Sequence, residues 1–198
     1  MAVAKVSAAI VAAGPPSSRS LQPSPAALLD SAIQHANASI FAAAQQDPAM
    51  LGMGTTIVAA LAQDGRLTVA HVGDSRAYLL RGRYLRQLTE DHSFINQCRH
   101  AGIDPFTRPD LQRYMNALAR AVGPHETVDV ETRIVEPELG DILLLCSDGL
   151  TCVVDDREIA ALLIGCADLG VAADRFIARA NEHGGPDNVT AVLARWVL

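Results

Sequence analysis

No apolar run of roughly 18 residues occurs in this chain, so none of it reads as a membrane span. The opening MAVAKVSAAIVAAG comes nearest to a leader. Its apolar run is short, Ala-rich and without a Leu core, and PPSSRS follows it, so it reads as part of a helix. A basic excess is also missing: 16 Lys and Arg stand against 22 Asp and Glu, a net charge of −6, which argues against a dedicated nucleic-acid binder. The four cysteines (Cys98, Cys146, Cys152 and Cys166) have neither paired metal-ligand spacing nor the density of a secreted disulfide framework. They are expected as thiols in a reducing compartment, with the cytoplasm as address. Neither Ser75 nor Ser147 lies in a G-x-S-x-G elbow, which removes the local signature of a covalent serine hydrolase. There is no GK[ST] phosphate loop and no dinucleotide fingerprint, and GMGTT at 52–56 leads into a strand rather than a helix. No internal repeat is visible.

What is present fits one domain over residues 1–198, long enough for a substantial core. A loop is expected at GPPSSRSLQPSP (14–25), because its prolines cannot continue a helix. The following helix carries an apolar face through Leu28, Leu29, Ala32, Ile33, Ala36, Ile40 and Ala43. From Gly54 the period shortens, and breaks at QDG, GDS and RG predict an antiparallel meander of sequential strands. Helical turns are expected around SFINQCRHAG and LQRYMNALARAVG. A half-buried strand is read over TVDVETRIVEPELGD, with Val128, Val130, Thr132 and Ile134 on one face, and a central strand over DILLLCS. Two helices then precede the closing strand NVTAVLARWV. Asp155 caps the first, three residues before Glu158, and Phe176 and Ala180 share a face of the second.

Three acidic turns stand out. Asp148 ends the buried run LLLCS and is followed by Gly149, which can take backbone angles closed to other residues. Asp187 and Asn188 sit in GGPDNVT, just before the last strand. Each Asp could be a turn cap or a metal ligand; two carboxylates at strand ends would suit a hard cation such as Mg²⁺ or Mn²⁺. Asp91 and His92 lie together in TEDHS, where structural use and metal ligation both remain open. Asp74, in HVGDSR, reads as a scaffold acid in a tight hairpin, bound to backbone N–H groups or paired with Arg76.

Taken in order, GTT (54–56), HVGDSRAYLL (71–80), QLTEDHS (87–93), RAVG (120–123), GDILLLCSDGL (140–150) and GGPDNVTAVL (184–193) resemble the bacterial branch of the PP2C or PPM family of metal-dependent protein phosphatases. That resemblance runs from about Ala26 to the end. It implies an α+β fold, a four-layer α-β-β-α sandwich of two antiparallel sheets, and hydrolysis of phosphoserine and phosphothreonine in proteins. The nucleophile is a metal-activated water, so no protein side chain is expected as a catalytic residue. Carried over residue by residue, the resemblance makes Asp148 and Asp187 ligands of a two-ion Mn²⁺ or Mg²⁺ centre and Asp91 a ligand of a third, weaker ion. Asn188 fixes its loop, Asp74 is structural, and residues from about 94 to 119 form a variable flap beside the site. Phosphoproteins, and a bacterial serine/threonine kinase that makes them, are the implied partners; nucleic acid and membrane are not.

The departure is at the start. Family members open with an Arg-bearing strand, an N-E-D-like motif and a D-G-x-G-G-H-like turn, none of which is in this sequence. The expectation is therefore a fold lacking the first strands, with N-terminal metal-binding motifs absent. The function expected is that of a phosphatase impaired in this truncated chain; the alternative is a catalytically inactive pseudophosphatase or phosphoprotein-binding remnant.

Overall fold

Turn chemistry and hydrophobic period set the elements. The computed structural model describes residues 2–12 and 23–197. In chain order these form helices α1 (Ala2–Ala12) and α2 (Pro25–Gln46), then strands β1 (Ile57–Gln63), β2 (Arg66–Val72), β3 (Arg76–Arg81) and β4 (Tyr84–Gln87). Helix α3 (Phe94–His100), strands β5 (Glu131–Val135) and β6 (Ile142–Cys146), helices α4 (Asp148–Thr151), α5 (Asp156–Leu163) and α6 (Leu169–Glu182), and strand β7 (Ala191–Arg195) follow. Most of the loop expected at 14–25 lies outside the described residues; its end is ordered by Ser24, whose hydroxyl accepts from the Ala27 N–H and caps α2.

Two antiparallel sheets, ordered β1-β2-β5 and β4-β3-β6-β7, pack face to face. Leu67, Val69 and Val135 of the first meet Ala77, Leu79 and Leu143 of the second. On the outside of the first sheet, Val6 of α1 and Leu29, Ile33 and Ile40 of α2 cover Ile57, Ala70 and Val72. On the outside of the second, Ile159, Leu163, Phe176 and Ala180 of α5 and α6 cover Tyr78, Leu80, Ile142 and Leu144. This is the expected four-layer sandwich. Each fully buried Leu, Ile or Phe contributes about 1.5–3 kcal/mol relative to exposure, so these three clusters hold the layers together. The strands with both faces covered, β2, β3 and β6, are also those with almost unbroken burial.

Three expectations change, and one buried polar residue joins them. The stretch from Gly54 is not one meander: QDG and RG close two-residue hairpins, β1–β2 and β3–β4, but the GDS break carries the chain from one sheet to the other. No α-helix forms over residues 111–123. Instead, a 3₁₀ turn spans Pro109–Tyr114, and isolated bridges, Ser93 with Leu118 and Thr55 with Val122, stitch the segment down. Strand β5 is shorter than read and lies at a sheet edge, with Val135 buried but Ile134 60% exposed, while Val128 is buried ahead of the strand. Finally, α2 buries a polar residue on its apolar face. The Asn37 amide donates to the carbonyls of His125 and Glu126, each at 3.0 Å, and its oxygen accepts from the Gly123 N–H at 2.7 Å. Those bonds satisfy the side chain, offset its burial and fix the loop after RAVG.

Candidate metal centre

Three loops bring acids to one cleft. The sheet-to-sheet crossover after β2 supplies Asp74, the end of β6 supplies Asp148 in the first turn of α4, and the loop before β7 supplies Asp187. The cleft has a volume of about 510 Å³, and Ile95, Met115 and Asn116 of the 94–119 segment form part of its wall.

The approach of Asp148 to Asp187 follows from local packing. Strands β6 and β7 pair to Cys146 and Ala191, so both acids leave the same end of adjacent strands. Ser147 then bonds the opposite loop: its hydroxyl donates to the Asn188 carbonyl at 3.2 Å and accepts from the Thr190 N–H at 3.0 Å. A Cβ at Gly149 would lie 2.3 Å from the Asn188 oxygen, so only glycine lets the two loops meet. Asn188 thus meets the opposite loop through its backbone carbonyl. At the crossover, Gly73 has φ +106°, and a Cβ there would stand 2.3 Å from the Thr56 methyl. The Thr56 and Ser75 hydroxyls bond at 2.8 Å, which ties GTT to GDS.

The acids differ in their neighbours. Asp91, expected as a metal ligand, gives its carboxylate to Arg76, at 2.6 Å to Nη2 and 2.8 Å to Nε, and accepts from Gln87 at 3.1 Å. Arg76 therefore pairs with Asp91 and not with Asp74. Burial works against the guanidinium charge, but the Asp91 carboxylate and the Tyr78 hydroxyl outweigh it and hold the group protonated. Asp74 lies at a sheet-to-sheet crossover and not in a hairpin, and it lines the cleft with Asp148 and Asp187. Burial first, and then the charge of Asp148, push its carboxyl above the usual carboxylate range.

His92 takes a different role. Among the described residues, His71, His92 and Glu131 bring one donor atom each within 4.8 Å of one another, the spacing of a metal site. Their hydrogen bonds argue otherwise. His92 Nδ1 accepts from the Gly73 N–H at 3.1 Å, which makes Nε2 the protonated nitrogen, and that nitrogen lies 3.3 Å from Glu131 Oε2. Arg120 Nη1 lies 3.0 Å from the same nitrogen and also donates to the Asp129 carbonyl at 3.2 Å, so Nε2 is already engaged by protein groups. His71 stacks on His92 at 4.4 Å and donates from Nε2 to the Glu90 carbonyl. Burial, reinforced by His71, lowers the His92 pKa despite Glu131, so the ring is neutral. It holds Gly73, and with it the loop that carries Asp74.

A family model described as "Protein phosphatase 2C" matches residues 5–97. The structure superposes on that of the Mycobacterium tuberculosis serine/threonine phosphatase PstP/Ppp with a TM-score of 0.83 and 35% identity, over 100% of this chain and 82% of that one. The chain belongs to the protein phosphatase 2C family. The catalytic domain of PstP in complex with two manganese ions is also similar, with a TM-score of 0.80 and 36% identity over 99% of this chain and 80% of that one. The serine/threonine phosphatase stp of Listeria monocytogenes is 42% identical over 163 residues, which are 81% of this chain. This phosphatase 2C chain spans 64% of the length of that Listeria protein. The six motifs read from the sequence thus marked the right family and fold. The place of Asp74 on the cleft wall was not read from them; the missed signal was the position of GDS between two hairpins, where the chain changes sheets.

Proposed function

We propose that this chain hydrolyses phosphoserine and phosphothreonine in proteins, with Asp74, Asp148 and Asp187 holding divalent cations, Mn²⁺ or Mg²⁺. The observation that carries this reading is the division of labour among the acids. Three carboxylates from three loops face one cleft with no ion pair among the described residues, while Asp91 is neutralised by Arg76. The donors fit the ions: all are hard carboxylate oxygens, as Mg²⁺ and Mn²⁺ prefer. The raised proton affinity of Asp74 also supports the fit, since a carboxyl crowded by a like charge is relieved by a cation.

Bound there, such cations offset charge on the phosphoryl group and lower the pKa of an attacking water. The chain's own side chains position and exclude. Ser147 is bonded to the loop across from it and Ser75 is buried against Thr56, so neither hydroxyl attacks phosphorus. Burial, and then the charges of Asp148 and Asp74, push the Cys152 thiol up, which keeps it protonated and a poor nucleophile. Ile95, Met115 and Asn116 face the acids and shape what enters, the role expected of the flap. The substrates on this reading are products of a protein serine/threonine kinase, which is the implied partner. A cytoplasmic address agrees with four free cysteines and with the lack, among the described residues, of a helix long and apolar enough to cross a membrane.

The test is phosphate release from a phosphothreonine peptide by the purified chain with Mn²⁺. We expect release that a chelator stops and that Asp148→Asn and Asp187→Asn each reduce by about 10²-fold or more, the scale for removing a preorganised charge-stabilising group. Binding of the peptide without release of phosphate would make the chain a phosphoprotein-binding module instead.

A further inference from the structure

Asp91 and Arg76 form a wall with two sides. One side borders the aspartate cleft; the other borders a polar recess of about 330 Å³ whose lining also includes Glu90, Asn96, Arg99 and Arg133. The charges in the recess do not balance. Arg76 is spent on Asp91, and Glu90 accepts a hydrogen bond from His100 at 2.6 Å, which leaves one carboxylate against two guanidiniums. Arg99, on α3, bonds only the neutral Asn96 amide oxygen, at 3.1 Å. Arg133, on β5, has no hydrogen bond or ion pair among the described residues. Two exposed guanidiniums from separate elements thus border one recess, and neither forms an ion pair among the described residues, in a chain whose net charge is −6. Like charges repel unless an anion joins them, and the planar guanidinium fork matches carboxylate and phosphate oxygens.

We propose that this recess is a second anion site, which takes a carboxylate or phosphate borne by the substrate beside its phosphorylated residue. The inference rests on the phosphatase reading above and names the substrate class: acidic or multiply phosphorylated segments. The shared wall supplies the geometry, since a peptide lying across Arg76 and Asp91 presents one group to the aspartate cleft and the next to the arginines. Arg99 and Arg133 set preference here and take no part in bond breaking.

Fluorescence anisotropy of labelled peptides tests this directly. Three peptides carrying a non-hydrolysable phosphonate analogue of phosphothreonine differ only in their flank, which holds Glu, Ala or a second copy of the analogue, and each is titrated with Mn²⁺-loaded wild type and with the Arg99→Ala/Arg133→Ala double variant. The wild type is expected to bind an anionic flank roughly fivefold tighter than the Ala flank, a gain that shrinks with added salt, as for exposed ion pairs. In the double variant the peptides bind alike. A gain from Glu alone identifies acidic side chains as the source, and a gain from the second phosphate alone identifies multiple phosphorylation. Single variants Arg99→Gln and Arg133→Gln, both on exposed side chains, cover the case in which the double variant does not fold. Equal affinity for all three peptides in the wild type, or a preference that survives the variants, overturns the proposal. An unphosphorylated Glu peptide compared with its Ala counterpart, without Mn²⁺, separates this site from the metal centre. If flank preference persists there while phosphorylation and Mn²⁺ have no effect, the phosphatase reading fails and the recess stands.

Discussion

At Gly149 the space for one methyl group decides whether two acids stay together. An Ala side chain would enter at 2.3 Å from the Asn188 carbonyl, and the obstacle is backbone, so the β6 and β7 loops must separate. Gly149→Ala is therefore expected to cost about 1–3 kcal/mol of stability, as overpacking does, and to weaken Mn²⁺ affinity as well. Thermal unfolding with and without Mn²⁺ checks both, and a variant unchanged in both would show that the loops do not touch as described. Asp148 and Asp187 were legible because strand ends next to glycines announce themselves in a linear sequence. The contrast between Asp74 and Asp91 was not. Asp74 stands two residues from Arg76, which suggests a pair, but Arg76 lies on β3 with its side chain beside Tyr78 at 3.0 Å, turned toward the chain beyond β4. Only the β3–β4 hairpin reveals Asp91 as the partner.

At the scale of elements, hairpins were easy to read and crossings were hard. Asp64 and Gly65 both adopt positive φ, 51° and 75°, the conformation a two-residue hairpin demands, and their Asp-Gly sequence says as much. GDS carries the same residue types yet changes sheets, which depends on what β2 and β3 pack against. The 111–123 segment looked helical by composition, but Pro109 opens a 3₁₀ turn and backbone bridges to Ser93 and Thr55 take over. A second ion pair ties elements together at β3 and β6. Asp141, buried at 3% exposure, accepts from Arg81 at 2.7 Å and from the Glu138 N–H at 2.8 Å. Burial alone would raise its pKa, but the Arg81 bonds and the Glu138 N–H together lower it. An acid with a depressed folded pKa lends stability above its unfolded pKa of about 4 and loses it as pH falls through the folded value. Asp141→Asn is thus expected to lower stability by about 1.5–3 kcal/mol at pH 7, the range for hydrogen bonds to a charged group. The difference from wild type should narrow below pH 4 in denaturant titrations; a gap independent of pH would contradict the assignment.

For the whole molecule, three apolar clusters build four layers and leave polar chemistry at the loop end of the sheets. The layers were legible, since period and burial follow from side-chain chemistry. The cleft was only half legible, since it is assembled by loops from both sheets. On the proposed function, Asp74, Asp148 and Asp187 hold divalent cations there while Asp91 does not. The direct measurement is the unfolding midpoint of the purified chain titrated with Mn²⁺, for wild type and for the Asp74→Asn, Asp148→Asn and Asp91→Asn variants. At a hundredfold excess over Kd, binding adds about 2.7 kcal/mol, or roughly 5–10 °C in a domain of this size. That rise is expected in wild type and Asp91→Asn and its loss in Asp148→Asn and Asp74→Asn, with metal-free Asp74→Asn no less stable than wild type because burial, and then the charge of Asp148, work against its carboxylate. A Mn²⁺-induced rise that survives Asp148→Asn and Asp74→Asn but disappears in Asp91→Asn would contradict it.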